Sequence, residues 1–217
     1  MVAISDSGHA TQRIASVFLA VLAMSLAIVL VSLATVGWRV TLTSEWAGPE
    51  LASSVSLALL TVWLVVAALP GHGGLWPLPA ATAFLCLREL DFQNWFFDPG
   101  LVRFELLTGL APPWQKLIGL AVALLIAATV LRLARIGAGP FWRGLRAHTG
   151  WAQVMAGTLI LLAVVTQLDG LGGDLARAGY NITTAIRTAL LVAEEAGELA
   201  FALGLALAAD LGLRTRH

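Results

Sequence analysis

The chain has 217 residues, 59% of them hydrophobic and only 12% charged, with a formal net charge of zero. A soluble domain typically carries about 25% charged residues, so a water-soluble globule is excluded, and the balanced charge gives no basis for binding nucleic acid. The single cysteine, Cys86, rules out an intrachain disulfide and a cysteine-rich metal site.

The apolar residues fall in uninterrupted runs close to the ~20 residues of a membrane-crossing helix. The expected fold is all-α: a polytopic transmembrane helix bundle, residues 1–217 forming one domain, with about six spans. The first run, residues 14–38, exceeds the about 7–15-residue apolar core of a secretory signal and reads as an uncleaved span. The second, residues 51–69, is closed by Pro70 and a Gly-His-Gly-Gly turn. The third, residues 77–97, starts at Pro77 or Pro79, where proline suits the first turn of a helix. It is expected to reach Phe97, because a helix stopping before Arg88 has about 12 residues, too few to cross ~30 Å at about 1.5 Å per residue. The fourth, residues 114–135, follows Pro112 and Pro113; the fifth is residues 151–167. A Gly-rich connection then reads as flexible. The sixth span, residues 183–213, is longer than a bilayer needs and has to tilt or protrude.

Basic residues set the orientation. Arg13, the group Arg132, Arg135, Arg143 and Arg146 between spans four and five, and Arg214 with Arg216 fall on one side of such a topology. Arg39, Arg103, Lys116, Arg177 and Arg187 fall on the other. The denser side is assigned as cytoplasmic, with both termini there, which suits a bacterial cytoplasmic (inner) membrane. Tryptophans agree: Trp38, Trp46, Trp76, Trp95, Trp114, Trp142 and Trp151 sit at span ends and only Trp63 lies within a span, as interfacial belts require.

Charge inside the spans carries the functional signal. Glu194, Glu195 and Glu198 interrupt the last apolar run, and Arg88, Glu89 and Asp91 interrupt the third. Charged groups at membrane depth are rare and mark ion, proton or substrate sites, or polar locks between helices. At ~100° per residue, with Glu194 at zero, Glu198 falls at ~40°, Glu195 at ~100° and Arg187 at ~20°. Beside this polar stripe Ala193, Gly197, Ala200, Gly204 and Ala208 line a neighbouring arc, and small residues permit close helix approach in lipid. Spans three and six run in opposite directions, so Arg88 is expected at the depth of Glu194 and Glu198 and is their natural charge partner.

Glu89, Asp91, Glu194, Glu195 and Glu198 outnumber Arg88. Protons or a cation have to balance the excess. Carboxylates with Gln93 and Asn94, and Arg187 nearby, form a hard-oxygen set suited to a divalent cation such as Ca²⁺, Mg²⁺ or Mn²⁺, with Glu194, Glu195 and Glu198 as the candidate metal ligands. His9, His72, His148 and His217 lie in loops or tails, which argues against a haem or a zinc site.

Three functions fit. The leading one is an integral membrane protein with a buried acidic proton- or cation-binding site between spans three and six, serving transport or sensing. The second is an accessory structural subunit of a larger membrane complex, or a homo-oligomer, in which the charges lock helices. The third is a membrane-embedded lipid-processing enzyme using its carboxylates; the residues lean against catalysis, since no nucleophile or metalloprotease motif is present.

Overall fold

A computed structural model describes residues 7–43, 47–68, 76–90, 92, 97, 106, 108–168, 171–180 and 182–214. The regular elements among them are all helices: α1 (Ser7–Thr43), α2 (Gly48–Ala68), α3 (Pro77–Glu89), α4 (Pro113–Arg146), α5 (Gly150–Leu168), α6 (Leu171–Arg177) and α7 (Thr184–Arg214). Among the described residues, five of these helices, α1, α2, α4, α5 and α7, are long and apolar enough to cross a membrane. The chain divides into two units, residues 1–56 with 143–217, and residues 57–142.

In the first unit α7 packs against both α5 and α1. The α5–α7 contact is antiparallel, stepping seven residues at a time along α5 and seven and then eight along α7. A Cβ on Gly197 would run into Val165 Cγ2, one on Gly204 would lie 2.5 Å from Thr158 Oγ1, and one on Gly212 would lie 3.9 Å from Trp151 Cβ. Only hydrogen fits at Gly197 and Gly204, and such small residues permit close helix approach in lipid. Of the small residues expected on this arc, Gly197 and Gly204 form the seam and Ala208 is buried, whereas Ala193 and Ala200 are exposed.

The α1–α2 contact is built on hydroxyls. Ser25 Oγ lies 2.7 Å from Ser56 Oγ, both residues being buried. Ser25 Oγ also lies 2.8 Å from Val21 O, and Ser56 Oγ 2.6 Å from Ala52 O. Each hydroxyl has one proton, so two protons serve these three contacts. Further along, the Gly48 N–H donates to Ser32 Oγ at 3.0 Å. Gly37, at φ 79°, breaks the regular helix inside α1, close to the expected end of the first span at Trp38.

The second unit contains the end of α2, all of α3 and most of α4. Thr61 donates to Thr82 Oγ1 at 2.8 Å, joining α2 to α3. Phe97 and Trp114 pack with ring centroids 6.0 Å apart, tilted by 54°.

Two stretches differ from the expected spans, and a third was expected to run beyond what is described. Helix α3 is described over 13 residues, about 20 Å at 1.5 Å per residue, and Leu90 after it is a turn whose N–H bonds to Cys86 O at 3.1 Å. The rest of the span expected to reach Phe97, residues 91 and 93–96, lies outside the described residues. Helix α4 runs on from Arg135 to Arg146, through Pro140, where a loop was expected. Proline removes one i→i−4 hydrogen bond, yet the helix continues, with Leu133, Gly137, Phe141 and Gly144 partly or fully buried along one side of it. The Gly-rich connection contains the short helix α6.

The α4–α5 corner is a Schellman turn. Thr149 N–H bonds to Gly144 O at 2.9 Å and His148 N–H to Leu145 O at 3.1 Å. His148 holds the left-handed position, φ 52°, that glycine usually fills. A Cβ on Gly150 would lie 3.9 Å from Leu211 Cδ1, so this corner and the end of α7 lie at the same end of the unit.

Candidate functional site

Thr183 caps the start of α7: the Ile186 N–H donates to its Oγ1 at 3.3 Å, the usual role of a hydroxyl before a helix. From that start the helix carries Glu194, Glu195 and Glu198 up to its middle. With 31 residues α7 is centred on Leu199, one position beyond Glu198. All three glutamates are partly buried, and Glu195 Oε2 is fully buried. On the scale that sets Glu194 at zero, Gly197 and Gly204 fall at ~300° and ~280°, so Glu195 emerges opposite the α5 seam and Glu194 and Glu198 on its flank.

Among the described residues no three histidine, cysteine, aspartate or glutamate side chains are placed to share a metal ion. The reason is helical: neighbours Glu194 and Glu195 leave the axis ~100° apart. Glu194 and Glu195 therefore point to different sides of α7, and the other oxygen donors expected with them, Asp91, Gln93 and Asn94, lie outside the described residues. Each carboxylate still offers oxygen acceptors beside apolar helices, where burial without a proton, cation or donor is costly. Arg187, expected as polar support, is exposed near the start of α7.

In the second unit Arg88 and Glu89 face each other, Nη1 to Oε1 at 3.6 Å, with side-chain exposures of 32% and 3%. That separation exceeds the ~2.7–2.9 Å of a strong charge-assisted hydrogen bond. Glu89 is therefore a buried acid in its own unit. Asp91, Gln93 and Asn94 lie outside the described residues. Arg88 and Glu89 belong to one unit and Glu194, Glu195 and Glu198 to the other.

Two polar features escaped the sequence reading. Asp210 is 2% exposed, its Oδ2 accepts from Arg214 Nη2 at 2.7 Å, and its Oδ1 is buried without a hydrogen-bond partner among the described residues. The signal was present: an acid four residues before an arginine faces it along a helix. The second is the buried set Ser25, Ser53, Ser54 and Ser56. Serines in apolar runs read as tolerated small residues, and no periodicity tells which of them meets a hydroxyl from another helix.

No protein family model, curated protein or solved structure matches the chain. Its class rests on its own physics. Leu19, Leu26, Leu30, Leu117, Leu124 and Ile160 are among many large apolar side chains left exposed on helices long enough to cross a bilayer. A soluble monomer does not display apolar surface on this scale, and a bilayer solvates it. The chain is an integral membrane protein.

Proposed function

We propose that α7 carries a proton- or cation-binding carboxylate site, with Glu194, Glu195 and Glu198 as its acceptors, in a protein whose role is ion- or proton-linked transport or sensing. The observation that carries this reading is the clustering of three partly buried carboxylates at the middle of a membrane-length helix packed on both α5 and α1. Acids at this depth are costly to keep without a function or a partner. Single-ion occupancy of one or two carboxylates fits the divergent directions of the three side chains better than a shared divalent metal does. Glu89, the buried acid of the second unit, is the further candidate acceptor.

The test is infrared difference spectroscopy of the purified protein in lipid at neutral pH, with and without Na⁺, K⁺ or Ca²⁺. A protonated-carboxyl band that disappears in Glu194→Gln, Glu195→Gln or Glu198→Gln is expected if the site holds a proton. A carboxylate band that moves on cation addition, and no longer moves in those variants, is expected if it holds a cation. Spectra without either signal would reject the site, and the reading of the charges as a lock within an accessory subunit would take its place.

A further inference from the structure

The four arginines near the end of α4 lie on one face of one helix. With Arg132 at zero, Arg135 falls at ~300°, Arg143 at ~20° and Arg146 at ~320°, an arc of about 80°. All four are exposed. The opposite side of the same stretch, Leu133, Gly137, Phe141 and Gly144, is the partly or fully buried one. Exposed apolar side chains border the arginine arc: Leu131 (58% exposed) and Trp142 (58%) lie at ~260° and ~280° on one edge, and Ile136 (36%) at ~40° on the other.

Length places this stripe at a membrane surface. Helix α4 has 34 residues, about 51 Å at 1.5 Å per residue, against a hydrocarbon core of about 30 Å. The apolar part from Trp114 to Leu131 uses about 27 Å. The arginines begin where that part ends, and Trp142, in edge contact with Phe141 at 5.7 Å, is an interfacial residue type.

We infer that this face of α4 binds the phosphates of anionic phospholipid headgroups in the leaflet at which α4 leaves the membrane. Guanidinium groups pair with phosphate in a fixed bidentate geometry, and basic clusters next to a span hold anionic lipid at about 1 kcal/mol per residue. A purely topogenic role needs charge on one side of the membrane but no particular helix face. The alignment on one arc, and the apolar borders that suit the acyl boundary, single out lipid over a soluble polyanion. The stripe is about 21 Å long and follows a headgroup layer when the extension leans onto it.

The test uses the full chain in neutral detergent with equal phosphatidylglycerol and phosphatidylcholine, read by native mass spectrometry and by thermal unfolding followed through tryptophan fluorescence. Wild type is expected to retain phosphatidylglycerol preferentially and to melt higher with it, but not with phosphatidylcholine or inorganic phosphate. Replacing all four arginines by glutamine should reduce the retained anionic lipid by about fivefold for each arginine lost. A charge-preserving variant guards against failed insertion of that protein: Arg135→Ala and Arg143→Ala combined with Ala134→Arg and Ala138→Arg. It moves two charges to ~200° and ~240° and should lose most of the lipid preference while inserting normally. Retention of the wild-type preference by the moved-charge variant overturns the inference, since charge alone then suffices. Equal retention of phosphatidylcholine, or equal stabilisation by inorganic phosphate, overturns it as well.

Discussion

The α5–α7 and α1–α2 contacts bring helices together within the same unit by different means. Along α5–α7 the backbones meet through Gly197 and Gly204, each facing a side chain that leaves no room for a Cβ. Along α1–α2 the contact is polar: Ser25 and Ser56 share hydroxyl protons, and Ser32 receives the Gly48 N–H. Lipid tails are as apolar as leucine, so neither contact gains from removing apolar surface from water; each depends on close packing or on hydrogen bonds. The difference predicts opposite sensitivities. The glycine seam should tolerate deletion of atoms and resist addition, whereas the serine contact should respond to loss of its hydroxyls.

Adding volume to the seam is the largest perturbation. Gly204→Leu, which places a branched side chain against Thr158, is expected to cost at least the ~1–3 kcal/mol of an overpacked core. Thermal unfolding in detergent measures it, and Gly204→Ala should fall between wild type and leucine. A leucine variant as stable as wild type would mean that α5 and α7 do not pack at this distance in the membrane.

Removing the hydroxyls is the intermediate case. Ser25→Ala and Ser56→Ala should each cost about 0.6 kcal/mol and at most ~1.7 kcal/mol, the range of interhelical hydrogen bonds in lipid. Because two protons serve three contacts, the double variant should lose less than the sum of the singles. Strict additivity in a double-mutant cycle, measured by reversible unfolding in mixed micelles, would show that the serines do not share a bond.

The corner that joins α4 to α5 gives the smallest effect, and it is a gain. His148 occupies a left-handed position, which costs a side-chain-bearing residue about 1–2 kcal/mol. His148→Gly should recover about 0.5–1 kcal/mol, the remainder being offset by the greater freedom of glycine in the unfolded chain. An unchanged or lowered melting temperature would show that the imidazole makes a compensating contact at the turn.

The amino-acid sequence by itself determined the class of protein, the starts of α3, α4 and α7, and the two glycines of the last helix's small-residue arc. Pro77, Pro113 and Thr183 mark helix beginnings by local chemistry that needs no neighbour. Glu194, Glu195 and Glu198 were visible because a charge in an apolar run is conspicuous without any structure. Only tertiary structure decided that Gly197 and Gly204 meet Val165 and Thr158, that Ser25 finds Ser56, that Asp210 is buried, and that α4 stays helical through Pro140. The physical reason is common to all four. In water, hydrophobic periodicity tells which face of a helix is buried, but in lipid both the exposed and the packed faces are apolar. Which face meets another helix is then settled by shape and hydrogen bonding between segments far apart in the chain, and a one-dimensional pattern does not record that pairing.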